Sequence, residues 1–230
     1  MIFRQLFERE SSTYTYLIAD EQTRQALLID PVKSELNGYL QLLRELDLRL
    51  EQVIETHIHA DHVTAAGSLR TATGCRTLLG EPTSSECVSA TFREGDRLSV
   101  GNLTLQVMYT PGHTSDSYSF LLETGNRRLL FTGDTLLIRG TGRTDFQNGD
   151  AAAQYRSLQR LLALPGDTEV WPGHDYKGWT SSTIAEERAH NPRLQVTDEA
   201  AYVQLMANLK LPNPRLMDVA VPANRACGEE

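Results

Sequence analysis

Six consecutive residues constrain this chain more than any other stretch: His57-Ile58-His59-Ala60-Asp61-His62. Histidine is scarce, six in 230 residues, yet three fall within these six positions. In an extended loop alternate side chains point the same way, so His57, His59 and Asp61 share a side, with His62 close by. No core pattern explains so polar a run, because buried imidazole and carboxylate groups need a partner. Imidazole nitrogens beside a carboxylate suit Zn, Fe or Mn; the set is too hard for Cu(I) and too rich in nitrogen for Ca or Mg. The fold has to present this loop to a metal.

Three later positions repeat one design, a strand that ends in a glycine-tight turn carrying a donor. They are Thr110-Pro111-Gly112-His113, Thr132-Gly133-Asp134 and Pro172-Gly173-His174. Each alone is an ordinary turn. Together with the cluster they place five of the six histidines and a carboxylate at strand ends. His190 is left over at a helix C-terminus, where the helix dipole favours it.

The rest of the sequence frames these donors. Strands are expected at residues 2–7, 14–19, 26–29, 52–55, 77–79, 103–109, 117–122, 128–131 and 169–171. A helix carries Tyr39, Leu42, Leu43 and Leu46 on one face, and another runs from His62 toward a left-handed cap at Gly74. Asp150 N-caps a third, Thr183 with Glu186 forms a capping box for a fourth, and a fifth lies near residues 198–209. This order predicts an α/β protein, two sheets with helices outside, as one domain over residues 1–230. Residues 180–230 form its helical C-terminal extension.

The net charge of −8 and pI near 5.3 argue against nucleic acid and anionic membrane as partners. No run approaches the roughly 18 apolar residues of a membrane span, and the first residues resemble neither a signal peptide nor a presequence. Three cysteines, Cys75, Cys87 and Cys227, form no CxxC pair, which predicts no structural disulfide and fits a reducing cytoplasm.

The HxHxDH loop followed in order by His113, Asp134 and His174 resembles the metallo-β-lactamase superfamily over residues 14–175. That resemblance implies the four-layer αββα sandwich, but not one reaction. Further segments narrow it: Asp134-Thr135-Leu136-Leu137-Ile138-Arg139-Gly140-Thr141-Gly142-Arg143-Thr144-Asp145-Phe146-Gln147, Trp171 to Gly178, Glu186-Glu187-Arg188, Asn191-Pro192-Arg193 and Val221-Pro222-Ala223-Asn224. With these the chain closely resembles the persulfide dioxygenases over nearly its whole length. Cysteine is common in that family at position 141; Thr141 stands here, so no thiol role transfers.

The resemblance implies one Fe(II) held by His57, His113 and Asp134, with open positions for substrate and O2. It implies oxidation of glutathione persulfide with O2 and water to sulfite and glutathione. His59, Asp61, His62 and His174 then orient the ligands and exchange hydrogen bonds around the iron. The carboxylates of glutathione call for Arg143, Tyr176, Lys177 and, more weakly, Asn224. A homodimer is the assembly to test for.

The rival reading is a glyoxalase II-type thioester hydrolase with two metals. Only 56 residues follow His174, fewer than the helical substrate-binding extension of that family. A metal-bound sensor or persulfide carrier without turnover is a third reading. A complete donor set argues against it.

Overall fold

The computed structural model describes residues 1–83, 85, 87–212 and 216–229. They divide into two compact units. The first comprises residues 1–92, 97–104 and 213–230; the second comprises 93–96 and 105–212.

In the first unit, β1 (Ile2–Glu8), β2 (Thr13–Ala19) and β3 (Gln25–Ile29) form an antiparallel meander. The chain then crosses over through α1 (Leu36–Glu45) to β4 (Arg49–Ile54), parallel to β3. A second crossover through α2 (Ala66–Thr73) leads to β5 (Arg76–Gly80), and β6 (Ala90–Phe92) completes the sheet. Tyr39 and Leu43 of α1 and Ala66 and Leu69 of α2 pack with Leu17, Leu28 and Val53 into one apolar core. α2 stops as expected at Gly74, whose φ of +75° is open to glycine without strain. The links after β3 and β4 leave the ends of these parallel strands as loops, where α/β sheets commonly carry function.

The second sheet has the order β12-β11-β10-β9-β8-β7. Its strands are β7 (Arg97–Val100), β8 (Leu103–Tyr109), β9 (Tyr118–Thr124), β10 (Arg127–Gly133), β11 (Glu169–Pro172) and β12 (Ser182–Thr183). Strands β8, β9 and β10 are antiparallel; β11 runs parallel to β10, through the crossover helix α3 (Ala151–Leu162). Asp150 caps α3 by accepting from the amides of Ala152 and Ala153. α4 (Ile184–His190) starts on the Thr183 hydroxyl, which accepts from the Glu186 amide, and α5 (Glu199–Ala207) starts on Asp198. The second core gathers Met108, Leu121 and Leu130 from the sheet with Leu158, Leu161, Ile184 and Tyr202 from these helices.

Two expectations fail. Three helices, not two, follow His174, because α6 (Met217–Arg225) closes the described chain. Pro222 inside it masks its pattern in the sequence. The second failure is chemical. Cys87 and Cys227 form a disulfide, and Cys75 is the free, buried cysteine. Counting cysteines cannot reveal a pair 140 residues apart that the fold brings to a Cα separation of 5.9 Å. Among the described residues no helix is long and apolar enough to cross a membrane.

Candidate metal centre

The first unit presents its donors on the loop between β4 and α2. His57, His59 and His62 are all buried. Their rings lie in sequence, His57 to His59 at 4.2 Å and His59 to His62 at 4.3 Å between centroids. Asp30, at the end of β3, holds the start of the loop. It has a φ of +51°, a left-handed conformation that Asp tolerates better than most residues. Its carboxylate accepts from the Thr56 amide at 2.7 Å and the Thr56 hydroxyl at 2.8 Å. With its proton committed there, the Thr56 oxygen accepts from His57 Nδ1 at 2.9 Å. This assigns the proton of His57 to Nδ1 and leaves the lone pair on Nε2, the tautomer a metal ligand needs.

His59 is flanked on its Nε2 side by Asp30 at 3.2 Å and Glu55 at 3.3 Å. Burial disfavours its charged form, yet the two carboxylates, Asp30 foremost, outweigh burial and hold its pKa well above the usual value. Burial pushes the Glu55 carboxyl up to about 7, with His59 pulling the other way. His59 Nδ1 has no hydrogen-bond partner among the described residues. A buried nitrogen left in that state is costly unless something binds there. Asp61 accepts from His62 Nδ1 at 2.8 Å and from the Thr13 hydroxyl at 3.2 Å. His59, Asp61 and His62 each offer a ligand atom within 4.8 Å of the others. The residues present fit a metal.

The loop is braced from behind by α6. Asn224, expected to touch glutathione, faces this loop. Its side-chain amide donates to the His59 carbonyl at 2.9 Å and the His62 carbonyl at 2.8 Å, and its oxygen accepts from the Thr64 amide at 2.8 Å. It is buried, and its amide is bonded to this loop on both sides.

In the second unit the three single donors come together. The carboxylate of Asp134, just after β10, accepts from His174 Nδ1 at 2.6 Å and lies 3.6 Å from His113 Nε2. His113 Nδ1 donates to the Arg143 carbonyl at 2.8 Å, which again assigns the metal-seeking tautomer to Nε2. Backbone approach is close throughout. The Gly142 amide donates to the Asp134 carbonyl at 2.7 Å, and a Cβ at Gly142 would stand 2.8 Å from the His113 ring. At Gly112, with φ of +136°, a Cβ would meet the Gln154 backbone at 2.3 Å.

The predicted substrate residues of this unit lie around those donors. Arg143 forks onto Asp145, at 2.6 and 2.7 Å, and donates to the Pro212 carbonyl. That pairing raises the Arg143 pKa and lowers that of Asp145. The Tyr176 ring, 72% exposed, stacks in parallel on His174 with centroids 6.0 Å apart. Lys177 is exposed and reaches over the Trp179 ring at 6.0 Å. Thr141 is buried against Tyr202, whose hydroxyl lies 3.1 Å from its own. Asp30, Glu55, Thr56 and Gly142 went unassigned in the sequence. Glu55, a carboxylate directly after β4 and two residues ahead of His57, was the one available signal.

The family described as the metallo-beta-lactamase superfamily matches residues 9–87 and 88–174. The fold and donor order therefore define a metallo-β-lactamase-type protein. The chain is 44% identical over 230 residues to human "Persulfide dioxygenase ETHE1, mitochondrial", covering 99% of this chain and 89% of that protein. The crystal structure of ETHE1 from Myxococcus xanthus is similar to it with a TM-score of 0.95 and 54% identity, over 100% of both chains. A probable hydroxyacylglutathione hydrolase of Schizosaccharomyces pombe is 34% identical over 71% of this chain and 64% of its own length. The chain belongs to the persulfide dioxygenase family within the metallo-β-lactamase superfamily, and the αββα fold expected of it stands.

Proposed function

We propose that the chain is a mononuclear non-haem Fe(II) dioxygenase that converts glutathione persulfide, O2 and water to sulfite and glutathione. Family membership at 44% identity over nearly the full length carries this reading. By motif position His57, His113 and Asp134 hold the iron, a ligand set of two histidines and one carboxylate. When bound, the metal supplies an electron source on which substrate sulfur and O2 are brought together. A single domain over residues 1–230, with residues 180–230 as its helical extension, belongs to the same proposal.

The tautomers of His57 and His113 support this assignment. Thr56 and the Arg143 carbonyl each take the Nδ1 proton and direct Nε2 outward. His59, its Nε2 beside two carboxylates, orients the loop and keeps a proton near the centre. His62 and Asp61 hold each other, and His174 steadies Asp134. Arg143, Tyr176 and Lys177 receive the glutathione moiety, Arg143 exchanging Asp145 for a substrate carboxylate.

Oxygen uptake with glutathione persulfide, sulfite formation and about one iron per chain are the expected results. Near two metals per chain, with hydrolysis of S-lactoylglutathione and no oxygen uptake, would support the glyoxalase II reading instead. Arg143→Ala should raise KM for glutathione persulfide roughly tenfold, the scale of one charge-assisted contact, with iron content unchanged. An unchanged KM removes Arg143 from the pocket. A cytoplasmic location and a homodimer are parts of the same proposal, tested by cell fractionation and sedimentation.

A further inference from the structure

The segment after Asn224 is tied to residues around the metal-binding loop. The Gly67 amide donates to the Cys227 carbonyl at 2.8 Å, and Lys33 Nζ donates to the Gly228 carbonyl at 2.6 Å. A Cβ at Gly228 would fall 2.1 Å from the Thr64 carbonyl, and one at Gly67 would fall 2.8 Å from the Cys227 carbonyl. Behind the loop lies a small cavity of about 10 Å3, lined by Glu55, His57, His59, Asn224 and Cys227 among others. Cys227 thus shares the lining with His57 and His59 and sits one turn from Asn224, whose amide holds the His59 and His62 carbonyls. Its sulfur is bonded to Cys87, half-buried in the connection between β5 and β6.

We propose that the Cys87–Cys227 disulfide is a redox clasp that keeps Asn224 seated against residues 57–64, making Asn224 a positioning residue for the metal loop. A low-molecular-weight thiol supplies the electrons; glutathione, released by the proposed reaction, is of that class. Its thiolate attacks Cys87 Sγ, the Sγ–Sγ bond breaks, and a mixed disulfide forms on Cys87. Cys227 leaves as thiolate and takes up the proton the attacking thiol gave up. A second thiol displaces the first from Cys87 and forms the low-molecular-weight disulfide. Two external thiols are oxidised and two protein thiols appear. Once the covalent tie is gone, α6 keeps only its packing and its hydrogen bonds to the loop, and its local opening exposes the loop carbonyls to water.

The test uses the full chain. Thiol titration of the denatured, unreduced protein should find one thiol, Cys75; three would overturn the clasp. Hydrogen exchange of the metal-free protein is then compared before and after dithiothreitol. Amides of residues 57–67 should exchange roughly tenfold faster after reduction, while those of Tyr118–Thr124 keep their rate. No change in the first segment, or an equal rise in both, overturns the proposal. Cys87→Ser should show the fast exchange without reductant and no further response to it; exchange like that of the oxidised protein counts against the clasp. The consequence for turnover rests on the proposed iron site, whereas the exchange measurement does not. Iron loss to a chelator should be faster from Cys87→Ser than from the wild-type protein, and equal rates would overturn the coupling to the metal.

Discussion

The two units present their donors by opposite strategies. The first crowds four of them onto one loop and fixes that loop from outside, through Asp30 and Thr56 on one side and Asn224 on the other. The second gives one donor to each of three strand ends and fixes them by close backbone packing, with Gly112 and Gly142 in contacts that leave no room for a methyl. A crowded loop has spare donors but depends on hydrogen bonds to hold its shape. Single donors on strand ends are rigid but have no substitute.

Removing an unsubstituted donor should therefore have the largest effect. Asp134→Ala is expected to abolish metal retention and oxygen uptake, exceeding the roughly 10–100-fold loss that positioning residues give. Elemental analysis of the purified variant checks this, and a full metal content would refute it. Thr56→Val strikes the hydrogen-bonded side of the comparison. Without the hydroxyl, His57 Nδ1 loses its acceptor and Asp30 a donor, so metal affinity should fall by about 10–100-fold in a competition titration. An unchanged affinity would mean the loop shape does not depend on this link.

Gly142→Ala probes backbone packing in the second unit. The added methyl must push on the His113 ring and the Asp134 carbonyl, at 2.8 and 2.3 Å. A loss of about 1–3 kcal/mol in urea unfolding is expected, together with weaker metal binding. The smallest effect belongs to Arg127→Ala, away from the donors. The Arg127 guanidinium forks onto Glu169 and holds its carboxyl below the usual range. A depressed carboxylate stabilises the fold above its unfolded pKa, and that share is lost as pH falls through the folded value. The variant should thus lose less than about 1 kcal/mol at neutral pH and show a slightly shallower acid transition.

How legible each region was in the sequence follows from the same contrast. The crowded loop is local, so its six residues announced a metal without any knowledge of the fold. His113, Asp134 and His174 were recoverable because each follows a β-rich run and a glycine turn. Caps were legible for the same reason, as at Asp150 and Thr183, since a cap is a contact over two or three residues. What stayed hidden acts across long sequence separations. Asn224 reaches back 165 residues to the His59 carbonyl, and nothing about an Asn in a proline-containing segment points there. The Cys87–Cys227 pair is of the same kind, and the cysteine count argued against it. Arg143 was legible as a carboxylate-binding cation, but its pairing with Asp145 two residues on comes only through the turn between them.

Along the chain, every residue of the second unit lies between the two half-cystines. A protease that nicks that unit anywhere would leave both pieces on one molecule, running as a single band until a reductant is added. Residues 87–227 are, in effect, a covalent ring, and a break in the ring need not release its parts.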